Sequence, residues 1–224
     1  ADTTSKDQQL RNLYGDFANA SVGTEKLITL ENNLMRLVLS NKGGKIHSVE
    51  LKNFKRFDAS PLYLIEANNA VQNLTFFAQN RMIQTDEFYF EPSVDAEIIE
   101  VTGAEVPKGS AGRVKYNEKN PGESQQISLK LMAGDNQYIE YIYKISHNSY
   151  VIDFDIRTVG MGSLINTNTG FLSFNFEFDM PRQERYSSYG EDKYSSIYYK
   201  FKDDELENLN LTKTDSEDLK TPVQ

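Results

Sequence analysis

The sequence predicts an all-β protein: a large antiparallel β-sandwich with a short N-terminal helix. Three observations carry this expectation. Apolar and polar residues alternate with a period of two in several runs, and turn-favouring residues separate those runs. The third is size, since 224 residues without a cysteine suit one undivided sandwich. A chain of that length buries roughly 70–75 % of its unfolded surface and needs no disulfide or metal staple.

The elements follow in order. Leu10, Leu13, Tyr14 and Phe17 fall at i, i+3, i+4 and i+7, the spacing of a short amphipathic helix, with Gly15 interrupting it. Ala1 to Gln9 is small and polar and is expected to fray. From Thr24 onward the period becomes two. Leu34–Leu39 and Ile46–Leu51 flank Ser40-Asn41-Lys42-Gly43-Gly44, the pattern of a hairpin with a Gly-rich turn. Val106 to Ser124 has no period and reads as one long surface loop. Then come the clearest strands. Ile127, Leu129 and Leu131 oppose Gln126, Ser128 and Lys130, while Ile139, Tyr141, Tyr143 and Ile145 oppose Glu140 and Lys144. Tyr150, Ile152, Phe154 and Ile156 oppose Asp153, Asp155 and Arg157, and Leu172, Phe174, Phe176 and Phe178 oppose Ser173, Asn175, Glu177 and Asp179. Each predicts a half-buried strand with one wet face. The chain thus reads as an N-terminal linker with a helix (1–22), a sandwich domain (23–202) and an acidic extension (203–224).

Charge narrows the partners. Thirty-three acidic residues against 24 basic give a net charge of −9, which repels nucleic acid and anionic membrane surfaces. Seven carboxylates against two lysines crowd the stretch from Asp203 to Gln224, an expected solvated end. No run of about 18 apolar residues occurs. A start at Ala1 without Met suggests a fragment cut from something longer.

Reactive constellations are scarce. His47-Ser48-Val49-Glu50 has a chelating spacing for a helix, but on a strand residues 47 and 50 point to opposite faces. His147 lies in a turn. Asp153 and Asp155 share a strand face with Cα atoms roughly 6.6 Å apart, as two acids on a solvated face would. Gly160-Met161-Gly162 lacks the third glycine of a phosphate loop, since Ile165 stands where it would fall. No catalytic residue, cofactor site or metal site is assigned. The weak binding-surface candidates are Tyr186, Tyr189, Tyr194, Tyr198 and Tyr199, five tyrosines within 14 residues. Because neighbours on a strand face opposite ways, at least one of Tyr198 and Tyr199 is expected at the surface, where tyrosine favours protein and sugar contacts.

Three segments together resemble the first periplasmic domain of the YidC family of membrane protein insertases. The first is Leu30-Glu31-Asn32-Asn33-Leu34 through Leu39-Ser40-Asn41-Lys42-Gly43-Gly44-Lys45-Ile46 to Val49-Glu50-Leu51. The second is Tyr150-Val151-Ile152-Asp153-Phe154-Asp155-Ile156. The third is Glu184-Arg185-Tyr186-Ser187-Ser188 with Ser196-Ile197-Tyr198-Tyr199-Lys200-Phe201.

That resemblance, over about residues 24–224, implies a supersandwich similar in outline to galactose mutarotases. It also implies a non-catalytic periplasmic domain attached to the inner membrane through segments absent from this chain. The implied partners are Sec translocon components and nascent membrane proteins. The insertase groove of the family lies among membrane helices, so none of its residues carries over. Two rivals stay open: a carbohydrate-binding or mutarotase-like protein, and a secreted interaction protein unrelated to insertion.

Overall fold

A computed structural model describes residues 2–67, 69–93, 99–100, 112–113, 124–165, 172–185, 196–200 and 205–210. Helix α1 spans Asp2–Tyr14 and passes into a 3-10 segment, Gly15–Ser21. The expected fraying before Leu10 is therefore corrected, since the backbone is helical from Asp2. Lys6, Gln8, Gln9 and Arg11 are good helix formers. The helical spacing of Leu10 to Phe17 does not extend through one helix. Gly15 takes φ +60°, a left-handed conformation that ends helices and that glycine adopts without penalty. The turn redirects the chain so that Phe17 is buried while Leu13 stays 61 % exposed.

The strands up to the long loop are β1 (Lys26–Glu31), β2 (Met35–Ser40), β3 (Lys45–Lys55), β4 (Pro61–Ile65), β5 (Ala70–Ala78), β6 (Arg81–Gln84) and β7 (Glu91–Pro92). β8 (Ile99–Glu100) precedes the loop stretch and β9 (Gly112–Arg113) lies within it. The later strands are β10 (Gln125–Gly134), β11 (Gln137–Ile145), β12 (Ile152–Val159), β13 (Ser173–Phe178), β14 (Ser196–Lys200) and β15 (Leu206–Asn210). Most of the stretch read as a surface loop, 106–124, lies outside the described residues. Within it Gly112–Arg113 pairs in parallel with Ile28–Thr29.

By contact the chain forms two units, Ala1–Phe54 with Pro61–Pro181, and Lys55–Ser60 with Arg182–Gln224. The first holds the sandwich. Its largest sheet runs β4-β3-β2-β1-β8 with β9 beside β1, a second runs β12-β11-β10-β7, and a third runs β13-β5-β6. Apart from β9, the recorded pairings are antiparallel. The alternation read from sequence sets the register. Ile127, Leu129 and Leu131 stand opposite Tyr143, Tyr141 and Ile139, and all six are at most 1 % exposed. One core joins these side chains to Ile28, Leu30, Leu37 and Leu39 of the first sheet and to Leu74 and Phe76 of the third.

Three local devices hold the sheets in place. In the β2–β3 turn Gly44 has φ +63°, and a Cβ there would stand 2.9 Å from the Tyr141 ring and 3.0 Å from that of Phe90. Asn41 in the same turn accepts from the Lys26 N–H at 2.6 Å through its side chain, and its backbone carbonyl accepts from Phe90 N–H at 2.8 Å. Asn32 caps the β1–β2 turn, accepting from the N–H groups of Leu34 and Met35 and donating to the carbonyls of Ser146 and Ser149, each at 2.8 Å. On the rim, Arg36 bridges Glu31 and Glu50, and Lys52 adds a third ion pair to Glu31.

The second unit contains the antiparallel hairpin β14–β15. In the same unit, Phe57 N–H donates to the Gln183 carbonyl at 3.0 Å, and the Arg56 guanidinium donates to the Arg182 carbonyl at 2.9 Å.

Candidate functional site: an apolar groove between three sheet edges

Strand β13 departs from expectation in an instructive way. Its alternation is present, and Phe174, Phe176 and Phe178 pair with Leu74, Gln72 and Ala70. Cross-strand partners share a face, so the phenylalanine row points to the core side, where those three partners are at most 4 % exposed. Yet the rings themselves are 41, 42 and 41 % exposed. The reason is position. Among the described residues β13 is the edge of its sheet, and its row overhangs an opening instead of packing under an opposing layer.

That opening is a groove of about 330 Å³. Edge strands of three sheets bound it: β4 through Leu64 and Ile65, β12 through Ile152 and Phe154, and β13 through its phenylalanines. Aromatic contacts line the mouth, with Phe154 and Phe174 centroids 5.6 Å apart and Phe176 and Phe178 5.4 Å apart. Met180 at the rim is 57 % exposed. Three residues with polar groups line the groove, and two of them, Gln72 and Tyr143, are engaged within the fold, while Tyr150 is 45 % exposed at its side. Gln72 donates to the Tyr143 hydroxyl at 2.5 Å and accepts from Ile46 N–H at 3.3 Å. The Tyr143 hydroxyl donates to the Gly44 carbonyl at 2.7 Å, and burial pushes that phenol far above its ordinary pKa. The groove therefore offers a visitor apolar contact and few free hydrogen-bonding groups.

Other sequence candidates fall elsewhere. Tyr186, Tyr189 and Tyr194 lie outside the described residues. Tyr198 and Tyr199 sit on β14 with opposite orientations. Tyr198 is 65 % exposed, and Tyr199 donates its hydroxyl to Glu207 at 3.0 Å. Asp153, Asp155, Glu177 and Asp179 are solvent-exposed. His47 lies on β3, half-buried, and burial lowers its pKa, with Glu25 opposing and Lys45 assisting. Among the described residues no group of three or more His, Cys, Asp or Glu is placed to hold a metal ion. None of the described helices is long and apolar enough to cross a membrane.

Sequence reading missed the groove as a site. It took the phenylalanines of β13 for ordinary core, because alternation records which face a residue is on and not whether that face is covered. The signal was present in the run itself, three phenylalanines at successive inward positions followed by Met180.

Comparison with known proteins gives a consistent picture. The family model described as the YidC periplasmic domain matches residues 27–223. A membrane protein insertase YidC from Azobacteroides pseudotrichonymphae is 28 % identical over 208 residues, covering 92 % of this chain and 29 % of the relative. One from Parabacteroides distasonis is 29 % identical over 213 residues, covering 95 % and 29 %. One from Chlorobaculum tepidum is 34 % identical over 157 residues, covering 69 % and 23 %. The chain thus spans less than a third of the length of these relatives. No solved structure matches it significantly.

Proposed function

This chain belongs to the YidC periplasmic domain family, and from that premise we propose that it is a non-catalytic contact platform of a YidC-type insertase. In this reading it assists insertion and folding of inner-membrane proteins by engaging emerging substrate segments or Sec translocon components. The observation that carries the proposal is the groove, whose walls are apolar and aromatic and whose buried polar groups, those of Gln72 and Tyr143, already bond within the fold. Such a surface suits the apolar side chains of a polypeptide. Sugar hydroxyls need several converging donors and acceptors, and beyond the exposed Tyr150 the lining supplies few, so the carbohydrate reading is the less favoured one.

The test is photocrosslinking in cells from the parent protein. A photoreactive residue replacing Phe176 or Leu64 is expected to form adducts with stalled nascent inner-membrane proteins or a Sec component. The same probe at Asp153, on an exposed strand face, serves as the control. Adducts at Phe176 and Leu64 no stronger than at Asp153 would sink the proposal. The exposed Tyr198 is a second candidate contact, and its photoreactive replacement is read in the same experiment.

A further inference from the structure

Edge strands carry a row of unpaired backbone groups along one side, and natural sheets usually blunt them. β13 pairs with β5 on one side, and among the described residues no strand pairs with its other side. The edge is six residues long, about 20 Å at roughly 3.3 Å per residue, with the apolar groove directly on its inward face. Its outward face carries Ser173, Asn175 and Glu177, all exposed, with Asn175 donating to the Glu177 carboxylate at 2.8 Å. Asp179 follows just beyond its end. One strand thus presents an aromatic row inward, an acidic and polar row outward, and between them backbone groups that no strand among the described residues pairs with.

We propose that β13 is an acceptor strand. An extended polypeptide segment, apolar at alternate positions and basic at one of those between, adds to its free edge and lowers its apolar side chains into the groove. The inference rests on the reading of the groove as a contact surface, and adds backbone pairing as the means of recognition.

Three features select this occupant. Backbone donors and acceptors left unpaired among the described residues are matched by another strand and not by a lipid tail. The two-residue spacing of Phe174, Phe176 and Phe178 matches the period of an added strand, whose apolar residues would fall beside them. Glu177 on the outward face favours an opposite charge on the neighbouring strand. A second copy of this chain would bring an identical acidic face to that edge, and each copy carries −9. An anionic lipid headgroup would meet the same repulsion.

The test uses the 224-residue chain and a fluorophore-tagged short peptide alternating leucine with lysine, read by fluorescence anisotropy. Along a strand, N–H groups of alternate residues point to the same edge. N-methylation at the leucine nitrogens therefore blocks one edge of the peptide, and at the lysine nitrogens the other. One series is expected to bind like the parent peptide. The other should bind at least about tenfold more weakly, the loss of one or two net hydrogen bonds. Equal effects of the two series, in either direction, would overturn strand addition. Glu177→Lys should reverse the preference from the lysine peptide to a leucine–glutamate peptide, and an unchanged preference counts against the proposal. Phe176→Ser should abolish binding while leaving the circular dichroism spectrum unchanged, and the peptide series needs no protein variant. Concentration-dependent dimerisation lost in Phe176→Ser would make a second copy the occupant. Binding of phosphatidylglycerol vesicles with no peptide bound would assign the groove to lipid. Either result overturns the proposal. The in-cell adducts from Leu64 are read independently, so strand addition can fail while the contact-surface reading stands.

Discussion

Tyr143 links the core to the groove. Its ring packs against Phe154 with centroids 4.8 Å apart, and its hydroxyl ties Gln72 to the Gly44 carbonyl. Tyr143→Phe keeps the ring but leaves a buried donor and a buried acceptor unpaired, a loss of about 1–3 kcal/mol to be measured by urea unfolding. A midpoint unchanged from the parent would show that these bonds contribute nothing. His47 makes a different prediction. Burial is the main cause of its lowered pKa, so as pH falls below about 6.5 the unfolded chain takes up the proton before the folded one does. Stability contributed by the neutral imidazole is therefore complete above that value, is lost as pH falls through it, and levels off once the folded imidazole protonates. His47→Gln should flatten the stability profile between pH 7 and the onset of carboxylate titration. These residue-level roles were only partly legible. Sequence placed Tyr143 and His47 on strands, but their hydrogen-bond partners and burial depend on residues far away in the chain.

At the scale of elements, a strand's place in its sheet governs what its side chains are worth. Phe76 and Phe176 are the same residue type on neighbouring strands, 2 % and 42 % exposed. Phe76→Ala should cost about 3–5 kcal/mol, as for other buried phenylalanines. Phe176→Ala should cost about 1 kcal/mol, since less apolar area leaves water when it folds. Equal losses in thermal or denaturant unfolding would mean that the groove is covered in solution. The β2–β3 hairpin makes the converse case. Gly44→Ala forces a side chain into a left-handed backbone, about 1–2 kcal/mol, and adds a clash with Tyr141 and Phe90. Its destabilisation should exceed that of Gly162→Ala, where a Cβ meets nothing within 4 Å. Strand periods, turns and the hairpin were all legible, because alternation and turn chemistry are local. The helix was legible only up to Gly15, because a left-handed glycine redirects the chain without disturbing the apolar spacing around it.

For the whole molecule, excess negative charge and the sandwich core act against each other. A net charge of −9 repels itself in the folded state, and salt screens that repulsion as the Debye length falls from about 30 Å at 10 mM to about 8 Å at 150 mM. The thermal midpoint should therefore rise with sodium chloride over that range. A fall would mean that the ion pairs around Glu31 outweigh the repulsion. The charge also frames recognition, since a basic, apolar, extended segment is the complement of both the surface and the groove.

Alternation, turn residues and length were enough to determine an all-β sandwich, because pleat and turn chemistry act between neighbours in the chain, while the family resemblance rested on three ordered segments of sequence. Only the tertiary structure decided that β4, β12 and β13 end as sheet edges around one opening. Coverage depends on which strands lie opposite, so a row of phenylalanines on the inward face of β13 reads the same in sequence whether it fills a core or lines a groove.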